Sequence, residues 1–307
     1  MTVTSTRRTS SGKAAERTAS PESLPPFYAS KEKQRELRIQ SAHLSPALII
    51  SQPTSFDEYV RQLMVPASVM DLANKASDIR FSAWEIEAIR MELELKPRKG
   101  LLRKILEEKI NDDDSHPPYI RVACTGKGKY DSMARKHYGL LPDGDHADAG
   151  SPAVLEIWPA QHYSPMHSHG GTTGIIYCLT GQIDVMAYEE LRWGATELGL
   201  LTLTPGQCAW LAADKFGVHK VYCPMDGGSK PVGPWNLLNE TSDYAATFHV
   251  YLNEEETVPD TYVPAELGTR DVFEYVHEIE HDRRKFATYS DLSWHVLRRV
   301  LAKNSST

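Results

Sequence analysis

Apolar residues in the first third of the chain recur at helical spacing. Ser55 with Glu58, and Ser82 with Glu85, fit the capping-box pattern that satisfies the free N–H groups of a first helical turn. After Ser82, the apolar side chains that fall mostly on one helical face are Trp84, Ile86, Ile89, Leu93 and Leu95. The pattern therefore predicts a helical region between about residues 55 and 112.

Beyond Tyr119 the pattern changes to short β-rich runs separated by Gly and Pro. These runs are 154–158, 175–179, 183–188, 200–204, 209–211 and 246–252. Many short strands with such turns are typical of a sandwich or barrel. A last amphipathic helix is predicted after a Ser290 cap. The segments 123–150 and 224–243 are predicted to be long surface loops.

The chain is predicted to have three parts. Residues 1–50 form a largely disordered tail, because its first half is rich in Ser, Thr, Ala and Arg and lacks apolar periodicity. Residues 51–270 hold the helical region and a β-barrel at about 119–260. Residues 271–307 form a C-terminal helical extension.

Composition narrows the class of partner. The 307 residues carry a net charge of -7 without a basic stripe, which argues against nucleic acid, and no apolar run is long enough to span a bilayer. No signal-peptide pattern or CxxC pair is recognised, so free cysteines and a cytoplasmic protein are expected. A monomer is expected because no interface signature stands out. An exposed charged helix explains His277 and His281, four apart among acidic residues, better than a metal site does.

His167 and His169, separated by Ser168, are the sharpest feature for chemistry. Two histidines at i and i+2 on a strand point to the same face, and a closed barrel would aim both into its interior. A histidine pair without a metal is the plain alternative, but a Gly-rich turn and a buried-looking strand follow, as in cupins. Most cupins add a Glu ligand a few residues after the second His. In this chain those positions, 170–174, hold only Gly and Thr, so His219 is the best candidate for a third ligand. Three neutral imidazoles would leave the full charge of a divalent metal and favour an anionic substrate ligand such as a thiolate or carboxylate.

Two further polar sets alternate along predicted strands. Thr247, His249 and Tyr251 would point the same way and could form a hydrogen-bond relay that orients the Tyr hydroxyl, although an ordinary half-buried strand is equally open. Tyr119 and Arg121 would also share a face, and an inward Arg can hold a carboxylate through two hydrogen bonds. A surface Arg at a helix-to-strand junction is the alternative.

Together these pieces resemble the cysteine dioxygenase family over the stretch from Tyr119 to about Tyr251. The matching residues follow in the family's order: Tyr119, Arg121, Gly126, Gly128, Lys129, Tyr130, Trp158, His162, Ser164, His167, His169, Gly181, 207–210, 217–221 and 249–251. The resemblance implies a mainly β cupin, that is, a double-stranded β-helix or jelly-roll barrel. The N-terminal helical region and the C-terminal helix are predicted from apolar periodicity alone, because neither can be matched to the family residue by residue.

The resemblance also implies an activity and the residues that perform it. The activity is the oxidation of L-cysteine by O₂ to cysteine sulfinate, a step of cysteine catabolism and taurine biosynthesis. The implied Fe(II) ligands are His167, His169 and His219; the substrate carboxylate binds Arg121 and Tyr119; the catalytic residues are Tyr251, His249 and Thr247.

The departures from the family pattern leave part of the site open. Gly174 stands where animal members carry a Cys that is cross-linked to the active-site Tyr, so no cross-link is expected, and Cys178 should point elsewhere. The Ser-Pro-Pro run that is typical after Tyr251 is missing. The insertions at 131–157 and 224–245 have no assigned role.

Three alternatives remain for the activity. One is dioxygenation of another small thiol, such as 3-mercaptopropionate. A second is a metal-binding cupin without catalysis, acting as a sensor or scaffold. A third, a zinc-dependent isomerase or hydrolase, is disfavoured by the missing carboxylate ligand.

Overall fold

The computed structural model describes residues 49–50, 65–94, 100–112, 119–124, 126–141, 153–170, 173–211, 217–225, 243–252 and 270–304. The helices in these residues are α1 Ala67–Ala76, α2 Ala83–Leu93, α3 Leu101–Asp112, α4 Asp131–Tyr138 and α5 Trp294–Asn304. None of them is long and apolar enough to cross a membrane. The predicted tail of residues 1–50 lies outside the described residues up to residue 48, and its last two residues correct the prediction, because they form a strand that pairs with residues 208–209. The capping box at Ser55 also lies outside the described residues.

Short strands make up most of the rest of the described chain. They are β1 Ile49–Ile50, β2 Ile120–Ala123, β3 Ala153–Pro159, β4 His167–Ser168, β5 Thr173–Thr180, β6 Ile183–Tyr188, β7 Glu197–Leu203, β8 Cys208–Leu211, β9 Val218–Tyr222, β10 Tyr244–Leu252, β11 Arg270–Val276, β12 Arg283–Tyr289 and β13 Leu292–Ser293.

The strands form two sheets between which the chain alternates. The first sheet has the order β1-β8-β5-β10-β3-β2-β13, and the second has the order β12-β11-β4-β9-β6-β7. From β3 to β10 the chain passes repeatedly from one sheet to the other, with antiparallel pairing throughout. This alternation is the double-stranded β-helix of a cupin, and it confirms the predicted mainly β fold.

Alternation of side chains along each strand sets the interior of the barrel. Trp158, Ile176, Val185, Leu203 and Val221 come from strands of both sheets and pack into one buried cluster between them. The intervening residues of the first sheet face the other way and pack against the helices. Period-two patterning therefore decides which polar residues of the same strands enter the barrel.

Helices α2, α3 and α5 cover the outer face of the first sheet. Ile89 of α2, Leu102 of α3 and Leu297 of α5 are fully buried in one cluster with strand residues of β2 and β3. The predicted capping box at the start of α2 is confirmed, because the Ser82 hydroxyl accepts a hydrogen bond from the Glu85 N–H while the Glu85 carboxylate accepts one from the Ser82 N–H.

The predicted surface loop at 123–150 is wrong in part, because α4 lies within it. The Asp131 carboxylate accepts hydrogen bonds from the Gly128 and Ser293 N–H groups, and this anchors the first turn of the helix. Gly139 ends the helix in the left-handed conformation, with φ of 59°. An eight-residue helix with few apolar residues has too little periodicity to be recognised in the sequence.

The C-terminal region is also corrected. Residues 271–307 are not a helical extension of the barrel, because β11, β12 and β13 belong to its two sheets and only Trp294–Asn304 is helical. His277 and His281 therefore lie in the turn of the β11–β12 hairpin rather than on a helix. Charged residues along β11 and β12 hide the alternation that marks a strand in the sequence.

Candidate metal centre

Three histidines from neighbouring strands of the second sheet converge. His167 of β4 and His219 of β9 are Cα partners across the antiparallel pair, and His169 follows directly after β4. Their ring centroids are 4.4 Å apart for His167 and His219, 5.0 Å for His167 and His169, and 5.2 Å for His169 and His219. One ligand nitrogen from each lies within 4.8 Å of the others.

The surroundings of His167 and His169 keep their imidazoles neutral, and a backbone contact orients the His167 ring. The Nδ1 of His167 lies 3.0 Å from the Pro165 carbonyl oxygen, which leaves its Nε2 as the metal-binding atom. Desolvation inside the barrel lowers the pKa of His167. Desolvation, followed by the charges of His167 and His219, lowers the pKa of His169 well below its usual value. Neutral imidazoles are the form that binds metal.

The donor set fits a divalent transition metal. Imidazole nitrogens are ligands for iron, zinc, copper and nickel, and with metal–nitrogen bonds of about 2.1 Å three of them on one ion lie at most about 3.6 Å from one another. The ligand atoms of the three histidines lie within 4.8 Å of one another, so a movement of the rings towards a common centre would bring them onto one ion. Three imidazoles leave open coordination positions for other ligands.

The predicted relay on β10 is assembled next to this cluster. The Thr247 Oγ1 lies 2.7 Å from the His249 Nε2, and the His249 Nδ1 lies 3.2 Å from the Tyr251 hydroxyl. The Tyr251 ring stacks on His169 with centroids 4.8 Å apart. The Trp158 Nε1–H donates a hydrogen bond of 3.2 Å to the Thr247 hydroxyl. These contacts connect the histidine cluster, through Tyr251, His249 and Thr247, to Trp158.

Glu156 is a member of this site that the sequence did not reveal. It lies on β3, is 5% exposed, and its Oε2 is 3.1 Å from the His249 Nε2. Burial, followed by the charge of Arg121, lowers the pKa of His249 to about 3. A single acidic residue within the apolar run 154–158 was the signal that could have indicated Glu156.

Arg121 and Tyr119 face the barrel interior. Their neighbours on β2, Ile120 and Val122, pack outward against the helices, so the alternation of the strand turns Arg121 inward. Arg121 is 2% exposed, which excludes the surface position. The Tyr119 ring stacks on Trp158 with centroids 4.2 Å apart. Burial, followed by the Glu156 carboxylate, raises the pKa of Tyr119 well above its usual value.

A buried ion pair outside the barrel fixes the backbone around Arg121. The Lys109 ammonium of α3 donates to the Tyr119 carbonyl oxygen at 2.6 Å and to the Asp291 Oδ2 at 2.8 Å. The same Asp291 oxygen accepts from the Arg121 N–H at 2.7 Å, and the Asp291 N–H donates to the Arg121 carbonyl at 2.6 Å. We call these four residues the Lys109–Asp291 clamp.

Gly174 of β5 makes room for Tyr251. A Cβ atom at Gly174 would lie 2.9 Å from the Tyr251 Cδ1 and 3.0 Å from the Val250 carbonyl oxygen. Cys178 does not face Tyr251, because its side chain is fully buried in the cluster around Trp158, as expected. All four cysteines of the chain are free thiols.

A second group of possible ligands lies on the surface, in the turn between β11 and β12. One ligand atom each from His277, Glu280 and Asp282 lies within 4.8 Å of the others. Glu280 and Asp282 are exposed, and exposed acidic groups of this kind are common without a metal.

Comparison with known proteins adds little about function. No family model and no curated protein matches the chain. Among solved structures, a Thermus thermophilus protein is 20% identical with a TM-score of 0.21, covering 34% of this chain and 76% of its own. The Drosophila melanogaster CENP-C domain is 9% identical with a TM-score of 0.24, covering 34% and 62%.

A third similar structure is the oxalate decarboxylase of Bacillus subtilis, described with Mn(II) centres. It is 8% identical with a TM-score of 0.23, covering 34% of this chain and 22% of its own. The chain thus spans less than two thirds of the length of this protein and of the CENP-C domain. With TM-scores this low, the fold assignment rests on the strand order instead. Strand order and histidine cluster define a cupin with a candidate metal centre built from imidazoles.

Proposed function

We propose that this protein is an Fe(II)-dependent thiol dioxygenase that converts L-cysteine and O₂ to cysteine sulfinate. One observation carries the proposal: three histidines, an inward arginine and an inward tyrosine share the interior between the two sheets. The Tyr251 ring stacks on His169. Burial first, with the charge of Arg121 among the smaller causes, lowers the pKa of both His167 and His169. A thiol beside the histidines would therefore find a cation for its carboxylate and a hydroxyl in the wall next to it.

The resident metal is proposed to be Fe(II), held by His167, His169 and His219. When bound, iron would supply the O₂ chemistry, while the thiol supplies the electrons, so that both oxygen atoms end on sulfur without an external reductant. The neutral ligand set leaves the positive charge of the metal uncompensated, which favours a thiolate over a neutral ligand. Zinc, copper and nickel also accept imidazoles, and metal analysis of the purified protein distinguishes them.

The other residues are proposed to hold the substrate. The Arg121 guanidinium binds the carboxylate through charge-assisted hydrogen bonds, and the Lys109–Asp291 clamp keeps its strand in place. Tyr119 lines the same wall, stacked on Trp158. The Tyr251 hydroxyl, oriented by His249 and Thr247, lines the space beside His169 that the bound substrate would occupy. Holding two reactants in one geometry accounts for a large part of such catalysis.

Metal binding is tested with His167→Ala. The variant should retain only traces of iron after anaerobic reconstitution and dialysis, because it loses one of three ligands. His295→Ala, which removes an exposed histidine of α5, is the matched control and should bind iron like the wild type. Full iron content in His167→Ala would refute the ligand assignment.

Activity is tested by O₂ uptake with L-cysteine and mass analysis of the product. Cysteine sulfinate formed in equimolar amount to the O₂ consumed would support the proposal. Arg121→Ala should raise KM for L-cysteine by about tenfold or more, through loss of a charge-assisted pair, and leave KM for cysteamine, which has no carboxylate, unchanged. An unchanged KM for L-cysteine would mean that Arg121 is structural.

The same assay separates the alternatives. Turnover of 3-mercaptopropionate in preference to L-cysteine would make it a dioxygenase of another thiol. Iron binding without O₂ uptake on any thiol would leave a metal-binding cupin with a sensing or scaffold role. A cytoplasmic monomer whose partners are a small thiol and O₂ is part of the proposal, and sedimentation velocity tests the oligomeric state.

A further inference from the structure

The hydrogen-bond relay on β10 contacts a buried carboxylate, that of Glu156, in addition to the Thr247 hydroxyl. The carboxylate is buried in the barrel wall, and its Oε2 is 3.1 Å from the His249 Nε2. Glu156 is also the Cα partner of Arg121 on one side and of Thr247 on the other, and directly opposed residues of antiparallel strands share a face. Its carboxylate therefore lies among Arg121, Thr247 and His249.

This position determines which nitrogen of His249 carries the proton. A positive charge on the neighbouring strand favours Glu156 as an anion, and an ionised carboxylate only accepts hydrogen bonds. Two lone pairs facing each other at 3.1 Å would repel, so the His249 Nε2 must present an N–H towards Glu156. Thr247 agrees with this tautomer, because its hydroxyl oxygen can accept from the same N–H and from Trp158.

The tautomer in turn fixes the direction of the Tyr251 hydroxyl. With the proton on Nε2, the His249 Nδ1 is a hydrogen-bond acceptor, and the Tyr251 O–H at 3.2 Å donates to it. The Tyr251 oxygen then offers only lone pairs to the space beside His169, on which its ring stacks. A group that binds there gains from carrying a hydrogen-bond donor and loses from carrying an acceptor.

We propose that Glu156 is a positioning residue that holds His249 as the Nε2–H tautomer, so that Tyr251 faces the pocket as an acceptor and selects thiols bearing an ammonium group. The selection of thiols rests on the proposed function, whereas the tautomer does not. L-cysteine and 3-mercaptopropionate form a matched pair of probes, because they differ only in the α-ammonium group.

The tautomer is measured by ¹⁵N NMR of histidine side chains in the Zn(II)-loaded protein, which is diamagnetic. The His249 signals are assigned by their absence in His249→Gln. Protonated Nε2 with unprotonated Nδ1 supports the proposal, and the reverse pattern overturns it. This measurement needs no folded variant of Glu156 and no turnover, so it decides the tautomer even if the protein acts on no thiol.

Selection is measured by anaerobic titration of the Co(II)-loaded protein with each probe, following the absorption of the thiolate–Co(II) bond. The wild type should bind L-cysteine about tenfold more tightly than 3-mercaptopropionate, the difference expected for one hydrogen bond to a charged group. In Glu156→Gln the ratio should fall to about threefold or less, because the amide can donate to Nε2 and so release the Tyr251 O–H towards the pocket.

Asp184→Asn is the matched control for this titration. Asp184 is another buried carboxylate, hydrogen-bonded to Thr202 on the outer face of the second sheet, and its replacement should leave the ratio unchanged. An unchanged ratio in Glu156→Gln, with both thiols bound, would overturn the selection by Glu156 and leave the proposed function intact. Failure of both thiols to bind to the wild type would instead refute the proposed function.

Discussion

Replacement of Lys109 by Met tests most directly whether the Lys109–Asp291 clamp stabilises β2, the strand that carries Arg121. The change removes one charge of the Lys109–Asp291 clamp and keeps a side chain of similar length. The Asp291 side chain is 0% exposed and the Lys109 side chain 4% exposed, so the remaining carboxylate would be left in the interior without its cation. The Tyr119 carbonyl would lose its donor as well.

The expected loss of stability follows from this burial. Removing one partner of a buried ion pair costs about 3–5 kcal/mol in the free energy of unfolding, because the other charge stays desolvated. For a domain of this size, about 1 kcal/mol corresponds to a Tm change of roughly 2–4 °C, so Lys109→Met should lower the Tm by roughly 6–20 °C. The double variant Lys109→Met with Asp291→Asn should recover about 1 kcal/mol or more relative to the sum of the single changes, because the amide oxygen still accepts from Arg121.

Urea unfolding followed by circular dichroism, with calorimetry for the Tm, measures these differences. Lys75→Met is the matched control, because Lys75 pairs with Asp71 at 2.7 Å with side chains that are 71% and 62% exposed. Such an exposed pair contributes less than about 1 kcal/mol. A loss of less than about 1 kcal/mol in Lys109→Met as well would show that the clamp does not hold the β2 strand.

Three further predictions concern single sites. Gly174→Ala should cost about 1–3 kcal/mol in the free energy of unfolding and displace the Tyr251 ring, because its Cβ would lie 2.9 Å from that ring; an unaltered stability would contradict the packing. Ser82→Ala should cost about 1 kcal/mol in urea unfolding through loss of the capping box with Glu85, and a neutral effect would mean that the cap is dispensable. The pKa of His249 is lowered from 6.5 to about 3, so below pH 6.5 the unfolded state binds more protons and the metal-free protein should lose stability as the pH falls. This histidine contributes about 1.4 kcal/mol per pH unit in that window, and equal urea midpoints at about pH 7 and about pH 5 would refute the shift.

Much of the barrel could be predicted because the apolar pattern within a single strand is enough to indicate that strand. The runs 154–158 and 183–188 are apolar apart from Glu156 and Asp184, and both lie in strands of the structure. The spacing of His167 and His169 also defined a shared face without knowledge of any partner strand. Local patterning of this kind needs only the neighbours along the chain.

The features that could not be predicted from the sequence depend on contacts between segments that are distant along the chain. The β11–β12 hairpin is stabilised by pairing with β4, and its charged residues mask the alternation that a free-standing strand would show. Glu156 was not recognised as part of the site because its role arises from register with β2 and β10, which only the folded chain defines. The same holds for Asp291, which lies 170 residues from Arg121.

The parallel pairing of β13 with β2 has a consequence for the order in which the protein is made. Synthesis proceeds at about 5–20 residues per second, so the 170 residues between Arg121 and Asp291 take roughly 8 to 34 s to emerge. The three histidines leave the ribosome well before Asp291 and can meet earlier. A nascent chain thus passes through a period in which it could already take up a metal ion while the arginine strand still lacks its last anchor.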